Sequence, residues 1–440
     1  MSTINFNIKA LLGDSTKIIT GDETYAARAI DKEVSFEEYC FLSKAVKYIG
    51  VTEGFRKVID TFRVPAGETP AGFKVEYNMA SDGRLLIDLV RNINYDKNGK
   101  KRATDFIFSA DSANPYEIEP IRNLIGNLTC NPGIIYDLFI NNPKANVGNK
   151  FKNRDEVMTE IGRILGPGCD ISVELNDPFA PLSQILEEAA KFKEMLSEYR
   201  VVIKVPHTGP VNGENVHYLI EDDKKLPVKW DKAQTRDYLY GHNLALALRE
   251  NGYRVNYTLM FEPWQTALAL QAKPYFINSF INKRFLTSNY VAGMMSAFDT
   301  TRDLSFLKTL RSYFVDVDFI PKSAADMDLA EVEKIARETL KYRNFDNEKG
   351  LDGFDGVRHN LRMLRNCNVE DTRLIVCSIE GSRQLPELYN LMADPEFTDM
   401  VNKVVITTEP IYLAQYTAAP QIITYQRRFM NAVNNTKDKR

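Results

Sequence analysis

Histidine and cysteine are scarce, with four and five residues in a chain of 440. The cysteines (Cys40, Cys130, Cys169, Cys367 and Cys377) are odd in number, widely spaced and free of any C-x-x-C pair, which argues against a disulfide framework or a zinc knuckle. The histidines (His207, His217, His242 and His359) show no H-E-x-x-H or other ligand spacing, so no metal is expected. No run approaches the roughly 18 apolar residues of a membrane span. The first nine residues lack the charged and apolar regions of a signal peptide, and a cytoplasmic location is the expectation. Neither sign of charge dominates: 56 basic and 59 acidic residues leave a net charge of −3, which is no footprint for a duplex or an anionic membrane. A small-molecule partner is expected, with neither nucleic acid nor membrane.

What is present is enough apolar material for a large core, at 44% of residues. From about residue 105 onward, short apolar runs alternate with longer amphipathic stretches, the pattern of repeated βα units around a parallel sheet. Eight runs can be counted, at 106–108, 124–128, 171–173, 201–203, 255–257, 275–277, 374–376 and 404–406. Helical patterns at 182–199, 232–250, 329–342 and 383–392 separate several of them. Eight βα repeats predict a (β/α)8 barrel, the TIM barrel of the α/β class, over 105–440.

Residues 1–104 lie outside this rhythm and predict an N-terminal α+β extension. Helices are expected over 35–48 and 52–62, and a hairpin over 73–77 and 84–90 around Ser81-Asp82-Gly83. Pro65-Ala66-Gly67 and Pro70-Ala71-Gly72 mark a loop between them. A lid, a homo-oligomer contact and a second small domain all remain open for this segment. Two further stretches look inserted, 208–233 after the fourth strand and 285–370 after the sixth, where loops overhang the mouth of a barrel. A polar tail, 434–440, closes the chain.

Most of the runs end on a polar residue: Asp111, Thr129 with Asn131, Glu174, Lys204, Asn256 with Thr258, Asn278, Ser378 and Thr407. Barrel enzymes assemble their sites from such strand ends, although strands also end where polar loops begin. Lys204 sits among Val201, Val202, Ile203 and Val205, and burial of this kind lowers a lysine pKa and makes its amine a nucleophile. Alone, it also reads as a lysine snorkelling from a strand end. Without a metal, aldol chemistry needs another electron sink, and a lysine iminium supplies one.

These pieces together resemble the transaldolase family, which includes transaldolases and fructose 6-phosphate aldolases. The resemblance rests on Asp111-Ser112-Ala113, Leu128-Thr129-Cys130-Asn131-Pro132-Gly133, Ile171-Ser172-Val173-Glu174, Val202-Ile203-Lys204-Val205-Pro206, Asn256-Tyr257-Thr258-Leu259 and the stretch 261–267 with Gln265, in that order. It implies a cofactor-independent enzyme in which Lys204 forms a Schiff base with a ketose donor, and an aldehyde accepts the transferred dihydroxyacetone unit. It further implies that Asp111 is the acid/base at the breaking bond, that Glu174 and Thr258 hold a water for proton transfer, and that Thr129, Asn131 and Asn256 bind the three-carbon unit. Release of dihydroxyacetone by a lyase, or a non-catalytic sugar-binding barrel, are the alternatives. The chain departs from the family after strands six and seven. Asn278 replaces a serine, Lys283 stands at an arginine position with Arg284 beside it, and Ser378-Ile379-Glu380 puts a carboxylate where the family has a basic residue. Lys283, Arg284, Ser378 and Arg383 are the remaining candidates to meet the far end of the substrate, which is a phosphate, a sulfonate or an uncharged group.

Overall fold

The computed structural model describes residues 6–13, 15–62, 68–70, 72–96, 98–166, 169–196, 200–221, 224–343, 350–369 and 371–437. The loop expected at Pro65-Ala66-Gly67, and Ala71, lie outside these residues, as do 197–199 of the helix expected at 182–199 and 438–440 of the polar tail.

Six strands precede the barrel: β1 (Phe6–Asn7), β2 (Lys17–Ile18), β3 (Glu33–Val34), β4 (Tyr48–Val51), β5 (Phe73–Met79) and β6 (Arg84–Arg91). A sheet of order β2-β4-β6-β5 contains the expected hairpin, β5 and β6, whose turn is permitted by Gly83 at φ 88°. The helix Phe36–Ala45 begins in a capping box, Ser35 accepting from the Glu38 backbone while Glu38 accepts from that of Ser35. It stops short of Tyr48, which opens β4 instead, because Ile49 and Val51 pair along β6 in the core of this sheet.

The barrel strands are β7 (Ile107–Asp111), β8 (Ile125–Cys130), β9 (Asp170–Glu174), β10 (Arg200–Pro206), β11 (Val255–Thr258), β12 (Phe276–Phe280), β13 (Arg373–Cys377) and β14 (Val404–Thr408). All neighbours are parallel, and β14 pairs with β7 to close an eight-stranded (β/α)8 TIM barrel. Each expected apolar run overlaps one strand. Alternate residues face inward and the others carry a large apolar layer beneath the surrounding helices.

The N-terminal sheet meets the end of the barrel where the strands begin. Arg91, at the end of β6, donates to both carboxylate oxygens of Asp170 at 3.3 Å and lies 4.0 Å over the Tyr275 ring. Arg200 binds the same carboxylate, and both side chains are fully buried. Gly72, at φ 76°, lets the chain lie against Arg200, since a Cβ there would stand 2.7 Å from the guanidinium carbon. Ile93 joins Ile107, Val202, Phe276, Ile375 and Val405 inside the barrel floor. The described contacts of this segment thus lie at the end of the barrel opposite the mouth. A sequence carries no sign of which end of a barrel an extension will pack on.

The second insertion is shorter than expected. Helices Ile281–Thr301, Ser305–Asp316 and Leu329–Arg343 form a bundle with its own core, but Asp355–Arg365 packs Val357, Leu361 and Leu364 on the barrel and is one of its helices. The bundle is fastened by buried charges. Arg284 binds Asp355 (Nε to Oδ1, 2.9 Å) and Glu262, and Arg343 binds Glu262. Asp355→Ala leaves two buried guanidiniums on one carboxylate and is expected to cost about 3–5 kcal/mol of stability. Urea unfolding monitored by circular dichroism measures this, and a loss below about 1 kcal/mol would mean that water or rearrangement relieves the charge.

The chain finishes in a helix, Pro420–Lys437, along which Ile422, Ile423, Tyr425, Phe429, Met430 and Val433 are exposed. Among the described residues no helix is long and apolar enough to cross a membrane.

Candidate active site

Strand register brings the polar strand ends together. Glu174 of β9 and Asn256 of β11 flank Lys204 of β10 at the same level, and Asp111 of β7 stands beside Thr129 of β8. Alternation turns all of them toward the barrel axis. Lys204 is 6% exposed, and its Nζ is 3.2 Å from Glu174 Oε2. Polar residues also occupy the layer below: Asn127 donates to Ser109 at 2.8 Å and accepts from Ser172 at 3.4 Å. Polar residues at every second position of an apolar strand are the sequence signal for this layer.

Burial pushes the Asp111 carboxyl up to about 6, against the pull of the Lys204 ammonium, with Glu409 and Glu174 adding to the rise. Burial opposes the charge on Lys204 too, but Glu174 and then Asp111 outweigh it and hold the amine above its ordinary value. This corrects the expectation that apolar neighbours lower that pKa. Val202 and Ile203 flank Lys204 along the strand, but the side chain emerges among carboxylates contributed by other strands.

Asn278 is committed to its neighbours. Its Nδ2 donates to Asn256 Oδ1 at 2.7 Å and to the Tyr257 carbonyl at 3.1 Å, and its Oδ1 accepts from Thr258 Oγ1 at 3.4 Å. A serine could not span these three groups, so Asn278 orients Asn256 and Thr258. Among the described residues, the inward-facing Asp111 Oδ1, Thr129 Oγ1, Asn256 Nδ2 and Thr407 Oγ1 are buried without a partner. Buried polar atoms without partners are costly and rare. Together they offer two hydroxyls, an amide donor and a carboxylate oxygen to a polyol. Thr407, noted in the sequence only as a polar strand end, joins this set.

Other candidates are placed differently. Asn131 accepts from the Ile134 backbone at 2.9 Å and so braces the turn after β8. Gln265 ties its own loop, accepting from Phe261 and Glu262 backbones at 2.7 and 2.9 Å and donating to the Leu259 carbonyl at 3.1 Å. His207, just after β10, stacks on Tyr257, with ring centroids 4.0 Å apart, and Tyr257 occupies a position of β11 that faces away from Lys204. Burial and then His242 push the His207 imidazole down to about 4.

Lys283 is exposed on the first turn of its helix. Arg284, expected to reach substrate, is instead paired with Asp355 of a barrel helix and Glu262 of the loop after β11. Arg383 binds Glu380 and lies 4.7 Å over the Phe285 ring. Ser378 turns the chain at φ 59°, a left-handed conformation unusual outside glycine. A cavity of about 710 Å³ opens where both insertions meet the loop after β11, lined by Trp230, Phe261, Trp264, Phe319, Tyr342 and Arg343 among others.

Residues 108–303 match the family model described as Transaldolase/Fructose-6-phosphate aldolase. Over this stretch the barrel is similar to the transaldolase/fructose-6-phosphate aldolase family. No curated protein matches the chain. The matched region runs from β7 into the helix after β12 and holds Asp111, Thr129, Asn131, Glu174, Lys204, Asn256, Thr258, Asn278, Lys283 and Arg284. Ser378 and Arg383 fall beyond it. The similarity supports an enzyme of transaldolase or aldolase type, and the family's description names a sugar phosphate.

Proposed function

We propose that the enzyme transfers a dihydroxyacetone unit from a ketose to an aldehyde through a Schiff base on Lys204. The observation that carries this reading is a buried lysine 3.2 Å from one carboxylate and within the field of a second whose pKa lies near 6.

The resting ammonium of Lys204 must first pass a proton to Glu174. The neutral amine then adds to the ketose carbonyl carbon, and the carbinolamine loses water as Glu174 and Thr258 move protons to the departing hydroxyl. The iminium that results carries the positive charge previously held by the ammonium. Glu174 and Asp111 therefore stabilise it without reorganising, and the field that delays deprotonation assists the later steps. Ionised Asp111 takes the proton from the hydroxyl next to the carbon–carbon bond. That bond breaks, an aldehyde leaves, and its electron pair is held as an enamine on Lys204. Asn256 Nδ2, Thr129 and Thr407 offer hydrogen bonds to the retained hydroxyls. An acceptor aldehyde takes the enamine carbon while Asp111 returns its proton, and water then adds to the resulting iminium, whose carbinolamine collapses to release the new ketose and the Lys204 amine. A proton in place of the aldehyde gives the lyase outcome.

Incubation with ketose donors and borohydride is expected to add a reduced three-carbon unit to Lys204, read by peptide mass. A panel of ketoses that leaves Lys204 unmodified would sink the proposal.

A further inference from the structure

Phosphate sites in (β/α)8 enzymes form at the loops after strands seven and eight, often with a helix N-terminus supplying backbone donors. In this chain both loops are acidic. The loop after β13 is Ser378-Ile379-Glu380, and Glu380 begins the helix Gly381–Ala393, so a resident carboxylate stands at the anion-attracting end of that helix. It is held there: Glu380 Oε1 accepts from Asn282 at 2.9 Å, Oε2 binds Arg383, and its backbone N–H donates to Gln384 at 2.8 Å. The loop after β14 opens on Glu409, which feels Glu117 and in turn raises Asp111.

Two of the three cations that the sequence offers for a phosphate are occupied. Arg284, 2% exposed, is saturated by Asp355 and Glu262, and Arg383 is neutralised by Glu380. Lys283 alone among them is exposed with no ion pair. Asp111, Glu117, Glu174, Glu380 and Glu409 thus stand on the strand ends or the turns that follow them, and a phosphate dianion would approach this set while displacing an arginine from a carboxylate.

We infer that the donor ketose of this enzyme is unphosphorylated, and that Glu380 is the residue that excludes the phosphorylated form. The inference rests on the Schiff-base reading of Lys204 and adds to it the class of substrate. A neutral polyol end can donate hydroxyl hydrogens to Glu380 and Glu409, which a phosphate dianion cannot do. Discrimination then comes chiefly from repulsion of the wrong substrate.

The test pairs a ketohexose with its 6-phosphate, both as donors to glyceraldehyde and in borohydride trapping. The unphosphorylated ketose is expected to lead by tenfold or more in kcat/KM at low ionic strength. The lead should shrink as salt rises, because exposed charges are screened. Glu380→Gln frees Arg383 and should narrow the preference at least tenfold, through KM of the phosphorylated donor more than through kcat. Wild-type preference for the phosphate ester, or a preference that neither salt nor Glu380→Gln moves, overturns the inference while leaving the Schiff base standing. Absence of an adduct from both donors overturns the Schiff-base reading and this inference with it.

Discussion

Lys204→Met is expected to abolish the borohydride adduct and to lower turnover on the order of 10⁴-fold or more, because no other group can hold the electron sink. Methionine matches the length of the lysine stem and suits a site that is 6% exposed, so the barrel should remain folded. The cost falls on Glu174, which loses its partner at 3.2 Å while only 13% of its side chain is exposed. Circular dichroism and thermal melting of the variant distinguish lost chemistry from lost fold. Retention of a tenth of the turnover by a folded Lys204→Met protein would remove the lysine from the mechanism.

The second large effect belongs to Asp111. Asp111→Asn keeps the shape but cannot take the proton from the substrate hydroxyl, so kcat should fall about 10²–10⁴-fold. In the wild-type enzyme only the ionised carboxylate is competent, and kcat/KM should fall as pH drops below about 6. The residual activity of the variant should lack that acid limb. Stability should move the opposite way. A carboxyl raised from 3.8 to about 6 on folding contributes stability that is fully present below the unfolded value and lost as pH rises through 6. The uncharged amide avoids that loss, so the gap between Asp111→Asn and wild type in denaturant unfolding should favour the variant, and more so at pH 8 than at pH 5. An acid limb that persists in the variant would assign that ionisation elsewhere.

These two residues were legible in the sequence because strand chemistry is local. A parallel strand is a short apolar run, its inward residues recur every second position, and the last inward position faces the mouth. Reading Lys204, Glu174 and Asn256 as neighbours needed only the assumption that their strands are adjacent, and the register bears out that adjacency. The same logic extended to Asn278 but not to its use: an amide at a strand end says nothing about which three groups it will bridge.

The misplacements share a cause. The family resemblance puts Arg284 and Arg383 among the candidates for the substrate, yet their partners are Asp355, 71 residues along the chain from Arg284, and Glu380, just before the helix that holds Arg383. Whether an arginine is free depends on every carboxylate the fold brings near it, and those distances do not exist in the sequence. The Lys204 pKa was misjudged for the same reason, since its apolar neighbours are sequential and its charged neighbours are spatial. The sequence by itself determined the eight strands, the inward polar positions and the family they resemble, all of which follow from short-range periodicity and motif order. Only the tertiary structure decided that the N-terminal sheet lies against the barrel floor, that the insertion ends before Asp355, and that the mouth is acidic, because docking, ion pairing and electrostatic fields depend on which distant segments the chain closure brings into contact.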